Sequence, residues 1–176
     1  MTLKEATSEK HSIAEKMPFN QIMIMGGLSP AQYLEYLKVQ YCIFNTIESR
    51  LLLPIHLIRS GNISRDIHEL SDSLSVEIKV PITSPHSKPY VNHLLKIPEK
   101  DLWAHVYLNY FAIIFGGQMI KSKVRGSGRM YDFENIQDNI KFIREKQSDS
   151  HANEVNKGYD FMIDIFENLH KSLFNV

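Results

Sequence analysis

Sulfur that could cross-link the chain is almost absent: Cys42 is the single cysteine in 176 residues. An internal disulfide framework is therefore excluded, and the usage fits a reducing compartment. Net charge is absent too. Lys plus Arg and Asp plus Glu number 20 each, so the overall balance predicts no nucleic-acid or other polyanion partner. There is no long hydrophobic run. Leu102–Ile120 lacks Asp, Glu, Lys and Arg, but it is interrupted by His105, Asn109 and Gln118, and its continuous apolar block is only Tyr110–Phe115. A membrane span needs about 20 predominantly apolar residues. The opening MTLKEATSEK is charged within four residues and has no apolar core of a secretory signal. No membrane contact and a soluble, cytoplasmic location are the expectation. Period-two alternation is also missing, which argues against a sheet.

What remains is a helical chain of ordinary globular composition, 43% apolar and 23% charged, long enough for one domain over residues 1–176. Residues 2–16 read as a first helix, with Leu3, Ala6, Thr7, His11 and Ala14 near one stripe; Pro18 ends it, and Gly26-Gly27 marks a turn. Ser29-Pro30 is a helix start, an N-cap followed by Pro at the first helical position. That helix carries Leu34, Leu37, Tyr41, Phe44 and Leu51 at steps of three and four, with Glu48 unexpectedly on the same apolar stripe. Gly61-Asn62 reads as a break, residues 64–78 as a helix, and Pro81, Pro85 and Pro89 as a punctuated loop. Residues 90–96 form a short helix, and Pro98 opens a central one. Gly126-Ser127-Gly128 reads as the most mobile loop, followed by helices over 133–147 and 152–174. The fold class is all-α, about seven helices in a single domain.

The central helix is the unusual element. Its apolar residues face all sides, as in a buried helix, and it ends in Gly116-Gly117. Each Gly costs roughly 1 kcal/mol relative to Ala inside a helix, so the pair predicts a kink onto which something flat can lie, or a helix crossing at small residues. His11 and Glu15, four apart, share a helix face. This is the spacing of a solvated surface pair. Such pairs are common on solvated faces; the same spacing also occurs where a carboxylate orients a metal-ligating imidazole. No further His, Cys or carboxylate stands at zinc-like sequence spacing, and a lone His ligand points to haem iron.

Residues 4–19, KEATSEKHSIAEKMPF, resemble the N-terminal signature of the heme oxygenase family. Residues 89–120, PYVNHLLKIPEKDLWAHVYLNYFAIIFGGQMI, resemble its distal-helix region with the Gly-Gly-Gln turn. The stretch around Gln40, Tyr41, Phe44 and Glu48 and the final NKGYDFMIDIFENL are similar to its second and last helices. The resemblance implies an iron-binding His11 oriented by Glu15, and haem, substrate and cofactor together, lying on the backbone of Ala112, Gly116 and Gly117. It also implies propionate partners at Lys4 and Arg144, with Lys141 close by, whereas Ser8 and Ile140 stand where the family has further lysines. The implied activity is oxidative opening of haem to biliverdin, carbon monoxide and ferrous iron, using O2 and electrons from ferredoxin or a flavin reductase.

The chain departs from the family where water is ordered over the iron. The distal carboxylate position is Ile113. A tyrosine position is Phe44, an arginine position is Asn109, and an asparagine position is Met162. Asn109, Tyr107, Tyr41, Glu48 and His105 are the remaining polar groups nearby. Ring-opening catalysis and haem binding without turnover both stay open at this point, as does a protein of this architecture that binds no haem.

Overall fold

The computed structural model describes all 176 residues and contains nine α-helices and no strand. They are α1 (Leu3–Glu15), α2 (Pro18–Ile24), α3 (Pro30–Arg50), α4 (Ser60–Leu74), α5 (Lys88–Lys96), α6 (Glu99–Phe111), α7 (Gly117–Lys121), α8 (Ile136–Glu145) and α9 (Ala152–Phe174). A π-helical turn, Ala112–Gly116, joins α6 to α7. No helix is long and apolar enough to cross a membrane.

Local chemistry sets most helix starts. Thr2 and Glu5 form a capping box on α1, with Thr2 N donating to Glu5 Oε2 at 2.7 Å. Ser29 and Gln32 do the same on α3, where Pro30 occupies the first helical position as expected. The nine helices exceed the expected seven for two reasons. Pro18 does not only end α1; its fixed φ also starts the short α2. The π turn then divides the central helix into α6 and α7.

Two other expectations are corrected. Gly61-Asn62 is not a break, because α4 begins at Ser60. The reason lies outside α4: Glu48 of α3 accepts from the backbone N–H groups of Arg59, at 2.6 Å, and Ser60, at 3.1 Å. A carboxylate at a helix N-terminus satisfies the orphan donors and the positive end of the dipole. Glu48 also accepts from Tyr110 Oη of α6 at 2.9 Å, which explains an acidic residue on an apolar stripe. The Gly126–Gly128 loop is not free. Glu69 of α4 accepts from Ser127 N and Oγ at 3.0 and 2.7 Å, and Asp66 accepts from the N–H groups of Arg129 and Met130 at 3.0 and 2.8 Å.

The core is centred on α3, which buries Leu37, Val39, Ile43, Phe44 and Ile47 completely. α3 packs against α4, α5 and α6, while α9 packs against α1 and α6. Phe44 meets Tyr110 edge-on at 4.7 Å between ring centroids. The α6–π–α7 segment thus has one side in the core, and its other side remains for a site.

Candidate functional site

The open side of this segment is aromatic. Tyr107, Phe111 and Phe115 recur at i, i+4 and i+8, with successive ring centroids 5.1 Å apart. Ala112 is exposed beside them, and Phe115 and Met119 are 54% and 66% exposed, unusual for large apolar side chains. Tyr107 connects this stripe to its surroundings. Burial raises its pKa, and the charge of Arg144 on α8 lowers it. Tyr159 of α9 sits within electrostatic reach of both Tyr107 and Glu15; burial, the larger cause, pushes its hydroxyl well above the ordinary range.

Tyr159 also faces His11, edge to face at 5.8 Å. The His11 side chain is 53% exposed, with Nε2 at 3.4 Å from Glu15 Oε1. Glu15 therefore addresses one ring nitrogen and leaves Nδ1 free, and a half-turn about χ2 exchanges the two. His11 and Glu15 on α1 meet Tyr159 on α9, and Tyr107 begins the aromatic stripe on α6.

Gly116 and Gly117 divide the work expected of the pair. A Cβ on Gly116 would meet nothing within 4 Å, whereas one on Gly117 would run into the Tyr131 ring, with Cε1 at 3.1 Å. Only Gly116 presents open space; Gly117 is spent on packing Tyr131. Gly117→Ala should destabilise the fold by about 1–3 kcal/mol through this overpacking. Gly116→Ala should leave chemical unfolding nearly unchanged yet weaken any flat ligand lying on the segment. Denaturant titration together with ligand titration separates the two.

The other predicted site residues scatter more widely. Lys4 and Arg144 are exposed and have no ion-pair partner, while Lys141 lies 3.9 Å from Glu145. Ile113 is only 4% exposed and brings no polar atom to the segment. Asn109 is corrected from its expected place at the distal site. Its Nδ2 donates to Tyr90 Oη at 2.9 Å and to the His105 carbonyl at 2.8 Å, so the amide is committed behind the helix. Phe44 and Met162 are core residues. Glu48 caps α4 instead of facing a cavity.

Sequence reading missed what Asn109 joins: a chain Asn109–Tyr90–His105–Glu154–His93. Tyr90 Oη is 2.7 Å from His105 Nδ1, His105 Nε2 is 3.0 Å from Glu154 Oε1, and His93 Nε2 bonds the same oxygen. The bond from His105, with a further one from His93, brings the Glu154 carboxyl down to about 2 against the cost of burial. Burial pushes His105 down. Both groups bind fewer protons folded than unfolded, so both contribute stability that is lost on acidification. His105 starts this loss as pH falls below its unfolded value near 6.5. Glu154 adds its share of the loss across the window from pH 4.5 down to about 2. Urea unfolding at a series of pH values should show this slope, flattened below pH 4.5 in Glu154→Gln.

A cavity of about 450 Å³ lies elsewhere, lined by Ile55, Arg59, Gln118 and Tyr131 among others, and it includes none of the predicted site residues. Its Arg59 guanidinium is already committed to the carbonyls of His56 at 3.0 Å and Leu57 at 3.3 Å, and it lies over the Phe133 ring.

Comparison with known proteins gives the family and the fold. The family model for heme oxygenase matches residues 1–156. A heme oxygenase of Porphyra purpurea is 25% identical over 99% of this chain and 87% of its own length. One from Pyropia yezoensis is 26% identical at the same coverage. Among solved structures, heme oxygenase-1 of Synechocystis sp. PCC6803 in complex with heme superposes with a TM-score of 0.79 at 19% identity, covering 98% of this chain and 92% of that one. The heme oxygenase of Leptospira interrogans gives 0.75 at 24% identity, covering 96% of this chain and all of the other. With the family match spanning most of its length, on an all-helical fold of the same kind, the chain belongs to the heme oxygenase family.

Proposed function

We propose that the protein is a heme oxygenase: it binds haem between His11 and the α6–π–α7 segment and opens the ring to biliverdin, carbon monoxide and ferrous iron. Electrons would come from ferredoxin or a flavin reductase. The observation that carries this reading is the exposed His11–Glu15 pair, with Tyr159 against it, in a chain whose α6–π–α7 segment carries an aromatic stripe and the open Gly116. These residues fit a flat, apolar macrocycle bearing a cation and two carboxylates. His11 would supply the axial nitrogen and Glu15 its orientation. Ala112 and Gly116 would supply the backbone seat. Lys4, Arg144 and Lys141 would supply propionate partners, Arg144 being exposed and unpaired. Bound haem supplies the iron centre for oxygen chemistry and is itself the ring consumed.

Proton delivery must then run without a carboxylate at Ile113 or an amide at Asn109. The hydroxyls of Tyr107 and Tyr159, with water, are the polar groups this surface retains. The same feature favours a second reading, a haem-binding protein that serves as carrier or sensor without turnover, because Ile113, Phe44 and Met162 are all apolar and buried. Incubation with hemin, ascorbate or reduced ferredoxin, and O2 decides between them. Biliverdin at ordinary enzymatic rates supports the oxygenase, and haem persisting unopened supports the carrier. Ile113→Asp should change the rate or product; if neither moves, Ile113 does not face bound oxygen.

A further inference from the structure

We propose that His93, His105 and Glu154 form a second metal site, separate from His11, for a divalent transition-metal cation of the zinc type. The three residues come from α5, α6 and α9, so no sequence spacing announces them. One ligand atom from each lies within 4.8 Å of the others, and Nε2 of both histidines bonds Glu154 Oε1. A tetrahedral zinc with bonds of about 2.0–2.1 Å needs ligand separations of about 3.3 Å. The 3.0 Å between His105 Nε2 and Glu154 Oε1 is already close to that, and small rotations of His93 and Glu154 bring in the rest.

The surroundings are built like those of a metal ligand. His105 has no solvent exposure, and its far nitrogen, Nδ1, lies 2.7 Å from Tyr90 Oη, which in turn accepts from Asn109. A metal-bound imidazole takes such a partner on its other nitrogen. Gly158 of α9 gives the ring its place, since a Cβ there would stand 3.0 Å from His105 Nδ1. Phe161 stacks on Tyr90 at 5.0 Å and flanks His93 at 5.1 Å, fixing α5 against α9. His93 and Glu154 keep 18% and 16% side-chain exposure, enough for entry of the ion and a water as fourth ligand. Lys157, 3.5 Å from Glu154 Oε2, is the one cation that competes for the carboxylate.

Without metal, the same groups close as a proton-linked chain in which both Nε2–H groups donate to Glu154. Binding at Nε2 moves the single proton of each neutral imidazole to its Nδ1 and puts one cation where the two N–H groups pointed. On His105 the Tyr90 hydroxyl then turns from donating to accepting. Protons compete with the cation for the imidazole nitrogens and the carboxylate, so affinity should fall as pH falls.

Equilibrium dialysis of the untagged, haem-free full chain against Zn2+ alone should give one saturable ion per chain. Co2+ should give the visible absorption of a four-coordinate site. His93→Gln should lower affinity roughly 100-fold or more, and Tyr90→Phe by about 10–100-fold. His11→Ala should leave the uptake intact, with far-UV circular dichroism confirming that each variant folds. No saturable uptake, uptake equal in His93→Gln, or uptake lost in His11→Ala would overturn the proposal.

Discussion

In the His11→Ala variant, hemin should lose its native axial ligation: the Soret and visible bands should shift from those of the wild type, and added imidazole should restore them. Turnover without imidazole should fall by at least about 100-fold, the scale seen when metal sites lose an orienting or binding group. The fold should not register the change. The His11 side chain is 53% exposed, with Glu15 at 3.4 Å, and surface substitutions of this kind stay within about 0.5 kcal/mol. This combination, spectral loss with unchanged urea unfolding, separates a ligand from a structural residue. An unchanged haem spectrum would mean that another group ligates the iron. Glu15→Gln should act in the same direction and more weakly, because it removes orientation and leaves the nitrogen.

Glu48→Ala should be the most destabilising of the polar substitutions considered. Its carboxylate is the acceptor for the N–H groups of Arg59 and Ser60 and for Tyr110 Oη. Tyr110 is fully buried, so its hydroxyl is left without this partner or access to water. Leaving buried donors unpaired costs about 1–3 kcal/mol each, and we expect about 3 kcal/mol in total. For a chain of this size that corresponds to a fall in Tm of roughly 6–12 °C, measurable by calorimetry. Tyr110 lies two residues before the π turn, so haem affinity should fall along with stability. A loss below about 1 kcal/mol would show that water replaces the carboxylate.

Much of the architecture was legible because its signals are local. Ser29-Pro30 marks the start of α3, and the i, i+3, i+4 spacing of its apolar residues marks its buried face. The pairing of His11 with Glu15 follows from helix geometry alone. The errors arose where a distant residue decides. Gly61 reads as a break until Glu48 caps the helix from another element, and Gly126–Gly128 reads as mobile until Asp66 and Glu69 hold it.

By itself, the sequence determined an all-helical single domain, the exposed ligand candidate on α1 and the glycine pair in the central segment, since each depends on residues within a turn or two of one another. Only the tertiary structure decided which glycine is open, because the direction in which Gly117 would carry a Cβ is filled by Tyr131, fourteen positions away in the chain. It alone turned Asn109 away from the site, because a buried amide goes where its partners are, and Tyr90 lies on a different helix. It alone brought together His93, His105 and Glu154, whose common point is a junction of three helices that no linear spacing encodes.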